Sequence, residues 1–133
     1  MKLERLKIDF EDERGTITDI FVHEPMEHVT FITTKAGGVR GNHYHKVSTQ
    51  HDFLVSGRFA VYGQKVGESE VTKSIWEPYE LLQWDLNEAH EFIALKDSVF
   101  ITFVNGVRGG EDFEKDTYRL EVPLHELYAR QTN

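Results

Sequence analysis

Between Thr16 and Val104 this chain never settles into a helical period; short β-branched and aromatic runs are cut by turn residues every few positions. The runs are Lys2 to Ile8, Thr16 to Val22, Val29 to Thr34, His51 to Val55, Arg58 to Tyr62, Val71 to Trp76, Leu81 to Leu86, His90 to Leu95 and Val99 to Val104. Gly15, Gly67, Pro78, Asn87 and Lys96-Asp97 punctuate them. Many short strands at regular spacing are the pattern of an all-β sandwich or barrel. Ser56-Gly57 separates two runs tightly enough to predict a β-hairpin. Only the tail, Pro123 to Gln131, reads as a short helix, with proline near its first turn. No repeat, low-complexity segment or linker interrupts the sequence, so a single domain over 1–133 is expected.

Composition narrows the partners. Apolar residues make up 39% and charged residues 29%, as in an ordinary globular protein. The net charge of −8 leaves no basic stripe to displace counterions from a nucleic acid. No apolar run approaches the roughly 20 residues needed to span a bilayer. The first residues, Met1-Lys2-Leu3-Glu4-Arg5, lack a signal peptide's apolar stretch, and there is no cysteine for a disulfide framework. A cytoplasmic protein that binds a small molecule, with neither nucleic acid nor membrane as partner, is the expectation.

The chemistry concentrates in Gly37-Gly38-Val39-Arg40-Gly41-Asn42-His43-Tyr44-His45. His43 and His45 are two apart in a strand, so both imidazoles point to one face. Two neutral imidazoles side by side form half of a divalent-metal site. Gln50 can add a carbonyl oxygen from the next strand, and His90 can close the site from a later one. The expected ligands of a Zn, Fe, Ni or Mn ion are therefore His43, His45, Gln50 and His90. Tyr44, between the two histidines, should point away. His51 neighbours Gln50, so alternation sends it to the opposite face. His23, His28 and His125 have no constellation around them and read as surface residues. Phe53, Phe59, Phe92, Phe100 and Phe103 read as core or interface, and Tyr62, Trp76 and Trp84 as candidate pocket walls. The acidic stretch from Gly109 to Asp116 reads as a solvated loop, and its glycines would let Gly106 to Asp116 move over the site.

The spacing of these residues resembles the cupin signature: glycine, five residues, His-x-His, four residues to the position of a glutamate, and six more to a glycine. Gly37, His43, His45, Gln50 and Gly57 match it, with Gln50 in place of glutamate. The looser second cupin motif keeps its histidine at His90, with Asp85, Asn87 and Ala94 at its proline, glycine and asparagine positions. Asn87 suits the glycine position because asparagine tolerates positive φ. The resemblance implies a double-stranded β-helix, or jelly roll, carrying a short C-terminal helix, with its site in the barrel mouth.

Arg40-Gly41-Asn42-His43-Tyr44 further resembles a segment of dTDP-4-dehydrorhamnose 3,5-epimerases, and Asp12-Glu13-Arg14-Gly15 resembles a turn near their start. With His45 and Asp116-Thr117-Tyr118, the string looks still more like the cupin domain of capsular-polysaccharide enzymes, and sugar 3,4-ketoisomerases carry a related motif. That resemblance implies an isomerase or epimerase acting on a keto-deoxysugar nucleotide, with His43 as the base and Arg40 as the phosphate clamp. His45 stands where the epimerases have glutamine, which favours a metal. A metal-bound nitrogen cannot also accept a proton, so Glu91, Lys46 or a tyrosine would then have to serve as base. An Fe(II)-dependent oxygenase and a non-catalytic sugar-binding cupin remain the alternatives, and for Arg40 so does a surface ion pair. Exposed jelly-roll edges imply a homodimer, with Lys2 to Ile8 adding to the partner's sheet.

Overall fold

The computed structural model describes residues 1–106 and 115–132. Its strands are β1 (Lys2–Arg5), β2 (Phe10–Asp12), β3 (Gly15–Ile17), β4 (His28–Thr34), β5 (Val39–Tyr44) and β6 (Thr49–Ser56). They continue with β7 (Phe59–Lys65), β8 (Thr72–Trp76), β9 (Glu80–Trp84), β10 (Glu88–Ala94), β11 (Ser98–Asn105) and β12 (Tyr118–Arg119), before helix α1 (Leu124–Thr132). One five-stranded sheet runs β1-β9-β6-β11-β4 and a second runs β12-β5-β10-β7-β8; β2 and β3 form a separate hairpin. Every pairing is antiparallel. This is the expected all-β jelly roll with one short C-terminal helix.

Alternation along the strands decides what fills the space between the sheets. Leu54, Leu82, Trp84 and Phe100 from one sheet meet Phe59, Val61, Trp76, Phe92 and Ala94 from the other in a single buried cluster. The other face of the β10 sheet is covered by α1, where Leu124 is buried among Ala60, Tyr62, Val71 and Ala89. Apolar packing thus plugs one end of the sandwich, and polar inward residues are left to the other.

One expectation is corrected. Ser56-Gly57 does not close a hairpin, because β6 and β7 lie in different sheets. Gly57 carries the chain across at φ +100°, and a Cβ there would fall 2.0 Å from the Ser98 hydroxyl oxygen. That oxygen accepts from the Arg58 backbone N–H at 3.0 Å, so the turn is fixed by packing onto the end of β11. The N-terminal strand β1 pairs with β9 from Lys2↔Gln83 to Arg5↔Glu80 and forms the edge of its sheet. Leu3 packs against the chain's own core, which anchors the strand there.

Candidate active site and metal centre

Two neighbouring strands bring the histidines together. His90 on β10 lies directly across from His43 on β5, and His45 follows just past the end of β5. Ring centroids are 4.8 Å apart for His43 and His90, 4.9 Å for His43 and His45, and 5.4 Å for His45 and His90. One nitrogen from each of the three lies within 4.8 Å of the others. Trp84, read as a candidate pocket wall, packs against the His90 ring at 5.0 Å but belongs to the buried core and does not line the cavity. Trp76 is core, and Tyr62 lies under α1.

A bulge sets the aim of β5. His90 faces His43 but Glu91 faces Gly41, so Asn42 is an extra residue in the strand. Gly41 and Asn42 adopt φ +84° and +62° to make it. Without the bulge, Arg40 would lie on the face opposite His43; with it, Arg40 faces Phe92 and lines the same cavity. Its guanidinium is steadied by the Thr33 carbonyl at 2.7 Å and the Thr34 hydroxyl at 3.1 Å.

The cavity holds about 290 Å³, with Phe92, Phe100 and Ile32 supplying apolar wall and His43, Gln50, His90 and Arg40 the polar one. Arg119 joins them from β12, opposite His43 in register. Sequence reasoning missed Arg119, since nothing local marks a two-residue strand that pairs with a segment some seventy positions earlier.

Gln50 is buried, and its orientation is fixed. Its amide nitrogen donates to Asp52 at 2.9 and 3.2 Å, which turns its carbonyl oxygen toward His45 Nε2 at 3.2 Å. The other His45 nitrogen, Nδ1, lies 2.7 Å from the backbone carbonyl oxygen of Asp116. A neutral imidazole has one N–H, yet this ring faces two carbonyl oxygens. Both contacts are satisfied only when a cation, a second proton or a metal ion, occupies the Gln50 side. The donor set therefore fits a late first-row divalent ion.

Asp116, read from sequence as part of a solvated acidic loop, is instead buried. Its carboxylate accepts from the backbone N–H groups of Lys46, Val47 and Ser48 at 2.9, 3.0 and 2.7 Å. Burial raises the cost of that charge, but the N–H groups of Ser48, Lys46 and Val47, with the Ser48 hydroxyl, outweigh it and hold the carboxyl below its usual range. Asp116 thereby fixes the β5–β6 turn and, through its own carbonyl, His45. Gly109 to Glu114, most of that stretch and of the expected lid, lies outside the described residues.

Residues 10–114 match the family described as the polysaccharide biosynthesis C-terminal domain. The chain belongs to that family. A comparison with curated proteins found no match. Among solved structures, this polysaccharide biosynthesis domain is similar to the capsular polysaccharide assembling protein CapF from Staphylococcus aureus. They share 25% identity at a TM-score of 0.64, over 88% of this chain and 34% of CapF. The domain thus spans about a third of the CapF chain. It shares its fold with dTDP-4-dehydrorhamnose 3,5-epimerase from Sulfolobus tokodaii, at 21% identity and a TM-score of 0.69 over 81% of this chain and 71% of the enzyme. A mutant of the 3,4-ketoisomerase QdtA from Thermoanaerobacterium thermosaccharolyticum, in complex with TDP-4-keto-6-deoxyglucose, gives 18% and 0.74 over 98% and 91%. The epimerase and the ketoisomerase are sugar-nucleotide enzymes by their names, and the cupin jelly roll read from the sequence is the fold this domain shares with them.

The remaining candidates fall into place around the cavity. His51 lies on the far face, as alternation required, edge-on to Phe21 at 5.2 Å. Tyr44 points away from the histidines and stacks on Tyr118 at 5.3 Å. Three alternative bases are corrected. Glu91 faces outward, because it neighbours inward-facing His90, and its carboxylate is held by the His125 backbone N–H at 2.9 Å and lies 3.0 Å from His125 Nδ1. His125 is therefore no idle surface histidine but the clasp of α1. Lys46 lies over the Tyr118 ring at 4.2 Å, and no tyrosine lines the cavity among the described residues.

Proposed function

We propose that this domain binds a divalent metal ion and acts as an isomerase or epimerase on a keto-deoxysugar nucleotide in polysaccharide biosynthesis. The observation that carries the reading is the convergence of the His43, His45 and His90 nitrogens beside a cavity that also holds Arg40 and Arg119. Similarity to CapF and the shared fold with the epimerase and ketoisomerase support the substrate class. Metal identity follows cellular supply as much as the donor set, with Zn, Fe, Ni and Mn the candidates.

His43, His45, His90 and the Gln50 carbonyl oxygen would hold the ion, which supplies Lewis-acid polarisation of a ketone when bound. Arg40 and Arg119 present guanidinium groups suited to the nucleotide's phosphates. Phe92 and Phe100 exclude water from the floor, which strengthens every charge interaction above it. His43, bordering the cavity, is the base that takes the proton from the carbon beside the ketone whenever its nitrogen is not committed as a ligand. Its two roles alternate and never coincide.

The test is solvent exchange. The domain, chelator-treated or Zn-loaded, is incubated with a dTDP-4-keto-6-deoxysugar in deuterated water, and the recovered sugar is examined for deuterium. Exchange in the metal-free protein that is lost in His43→Ala supports His43 as the base; exchange confined to the loaded protein would show instead that the ion polarises the ketone while solvent water takes the proton. No deuterium under either condition overturns the enzymatic reading.

The same proposal includes a homodimer and a cytoplasmic location. Val29 and Phe31 on the edge strand β4 are 61% and 66% exposed, an apolar row that a second copy would cover. Among the described residues no helix is long and apolar enough to cross a membrane. Light scattering that gives only the monomer mass at micromolar concentration would remove the dimer.

A further inference from the structure

Behind the cavity lies a buried carboxylate, met so far only as the acceptor of the Gln50 amide. Asp52 is fully buried on β6, two residues beyond Gln50 and on the same inward face. Three side chains donate to it: Gln50 Nε2, Trp84 Nε1 at 3.0 Å and the Thr102 hydroxyl at 2.7 Å. Register places them there, since Asp52 faces Thr102 on β11 and Trp84 pairs with Gln50 from β9.

We infer that Asp52 is the positioning residue that makes Gln50 an oxygen donor, and that it stores one side chain behind the cavity the negative charge that a glutamate at position 50 would place inside it. This inference rests on the metal reading. An amide has one donor end and one acceptor end. With the donor end spent on Asp52, the carbonyl oxygen has only the direction of His45 Nε2. A glutamate at position 50 would set two carboxylates about 3 Å apart in the interior, where neither has water to screen it. The departure from the cupin glutamate is therefore one half of a matched pair. Its consequence is electrostatic. All four donors facing the ion are neutral, so a divalent cation keeps its charge for the ligand that enters from the cavity, and an anionic oxygen such as an enolate is the class it favours.

The experiment is a four-protein cycle of wild type, Gln50→Glu, Asp52→Asn and the double variant. Thermal unfolding in excess chelator reads the pairing without metal. Gln50→Glu alone should lower Tm by roughly 5 °C or more. The double variant, in which the amide and the carboxylate have exchanged places and still form a donor–acceptor pair, should recover most of that loss. Zn affinity, by competition with a chromophoric chelator, reads the positioning role. The double variant should bind about tenfold more tightly than wild type, because the charge has moved from behind the site into it. Additive Tm losses with no recovery overturn the pairing, and a double variant no tighter than wild type overturns the stored-charge role. A wild type that takes up no Zn overturns the metal reading itself, while the unfolding cycle still decides whether Asp52 and Gln50 are coupled.

Discussion

Arg40 and His43 stand three residues apart on β5 and yet line the same cavity. Odd spacing on a regular strand puts side chains on opposite faces. The bulge at Gly41 and Asn42 removes that conflict, so the backbone irregularity is what assembles a cation and an imidazole in one wall.

Gly41 is the residue this arrangement can least replace. At φ +84°, a Cβ would lie 2.6 Å from the His90 carbonyl oxygen, a backbone atom that cannot move without moving His90. Gly41→Ala should lower stability by about 2–4 kcal/mol in urea unfolding, combining left-handed strain with the clash. The loss should come with weakened metal uptake, since both neighbouring histidines shift. Unchanged stability would mean that the bulge is not required.

Asn42 separates two contributions. Its side chain accepts from the Leu124 N–H at 3.1 Å at the start of α1 and donates to the Leu120 carbonyl at 3.4 Å, while its backbone takes φ +62°. Asn42→Gly keeps the backbone and loses the side-chain bonds, and should cost about 0.5–1.5 kcal/mol. Asn42→Ala loses both and should cost about 1–2 kcal/mol more. Equal losses in chemical denaturation would show that the positive φ carries no strain.

His51 gives the fold a measurable pH dependence. Burial against the outer face lowers its pKa below the ordinary 6.5, only partly opposed by its hydrogen bond with Gln83 and the charge of Glu24. The unfolded chain then binds more protons than the folded one just below pH 6.5, so stability should fall as pH drops through that window and stay level above it. His51→Phe should flatten the slope between about pH 5 and 6.5 in urea titrations. A wild-type stability that does not change across that range would contradict a half-buried His51 held below its ordinary pKa.

What the sequence made legible was local or periodic. His43 and His45 share a face because strands alternate, and His51 faces away from Gln50 for the same reason. Asn87 adopts φ +60° where the motif has glycine. What stayed hidden was long-range. Ser56-Gly57 looks like a hairpin turn because nothing local says that its two flanking strands join different sheets. Arg119, Asp116 and His125 come from the C-terminal segment, and their roles arise only when it docks beside β5 and β10. Asp52 had a readable signal: the alternation that turns Gln50 inward also turns a charged residue inward, which a core seldom accepts without a purpose.

The function proposed for this domain depends on a divalent-metal site made by His43, His45 and His90 with the Gln50 oxygen. Plasma mass spectrometry of untagged protein, beside the His43→Ala/His45→Ala double variant, tests it most directly. Close to one metal ion per chain is expected in the wild type, or after reconstitution with Zn, Fe(II) or Ni, with its loss in the variant while circular dichroism stays that of a β protein. A wild type that remains metal-free after reconstitution would contradict it, leaving His43 to act as the base without a metal.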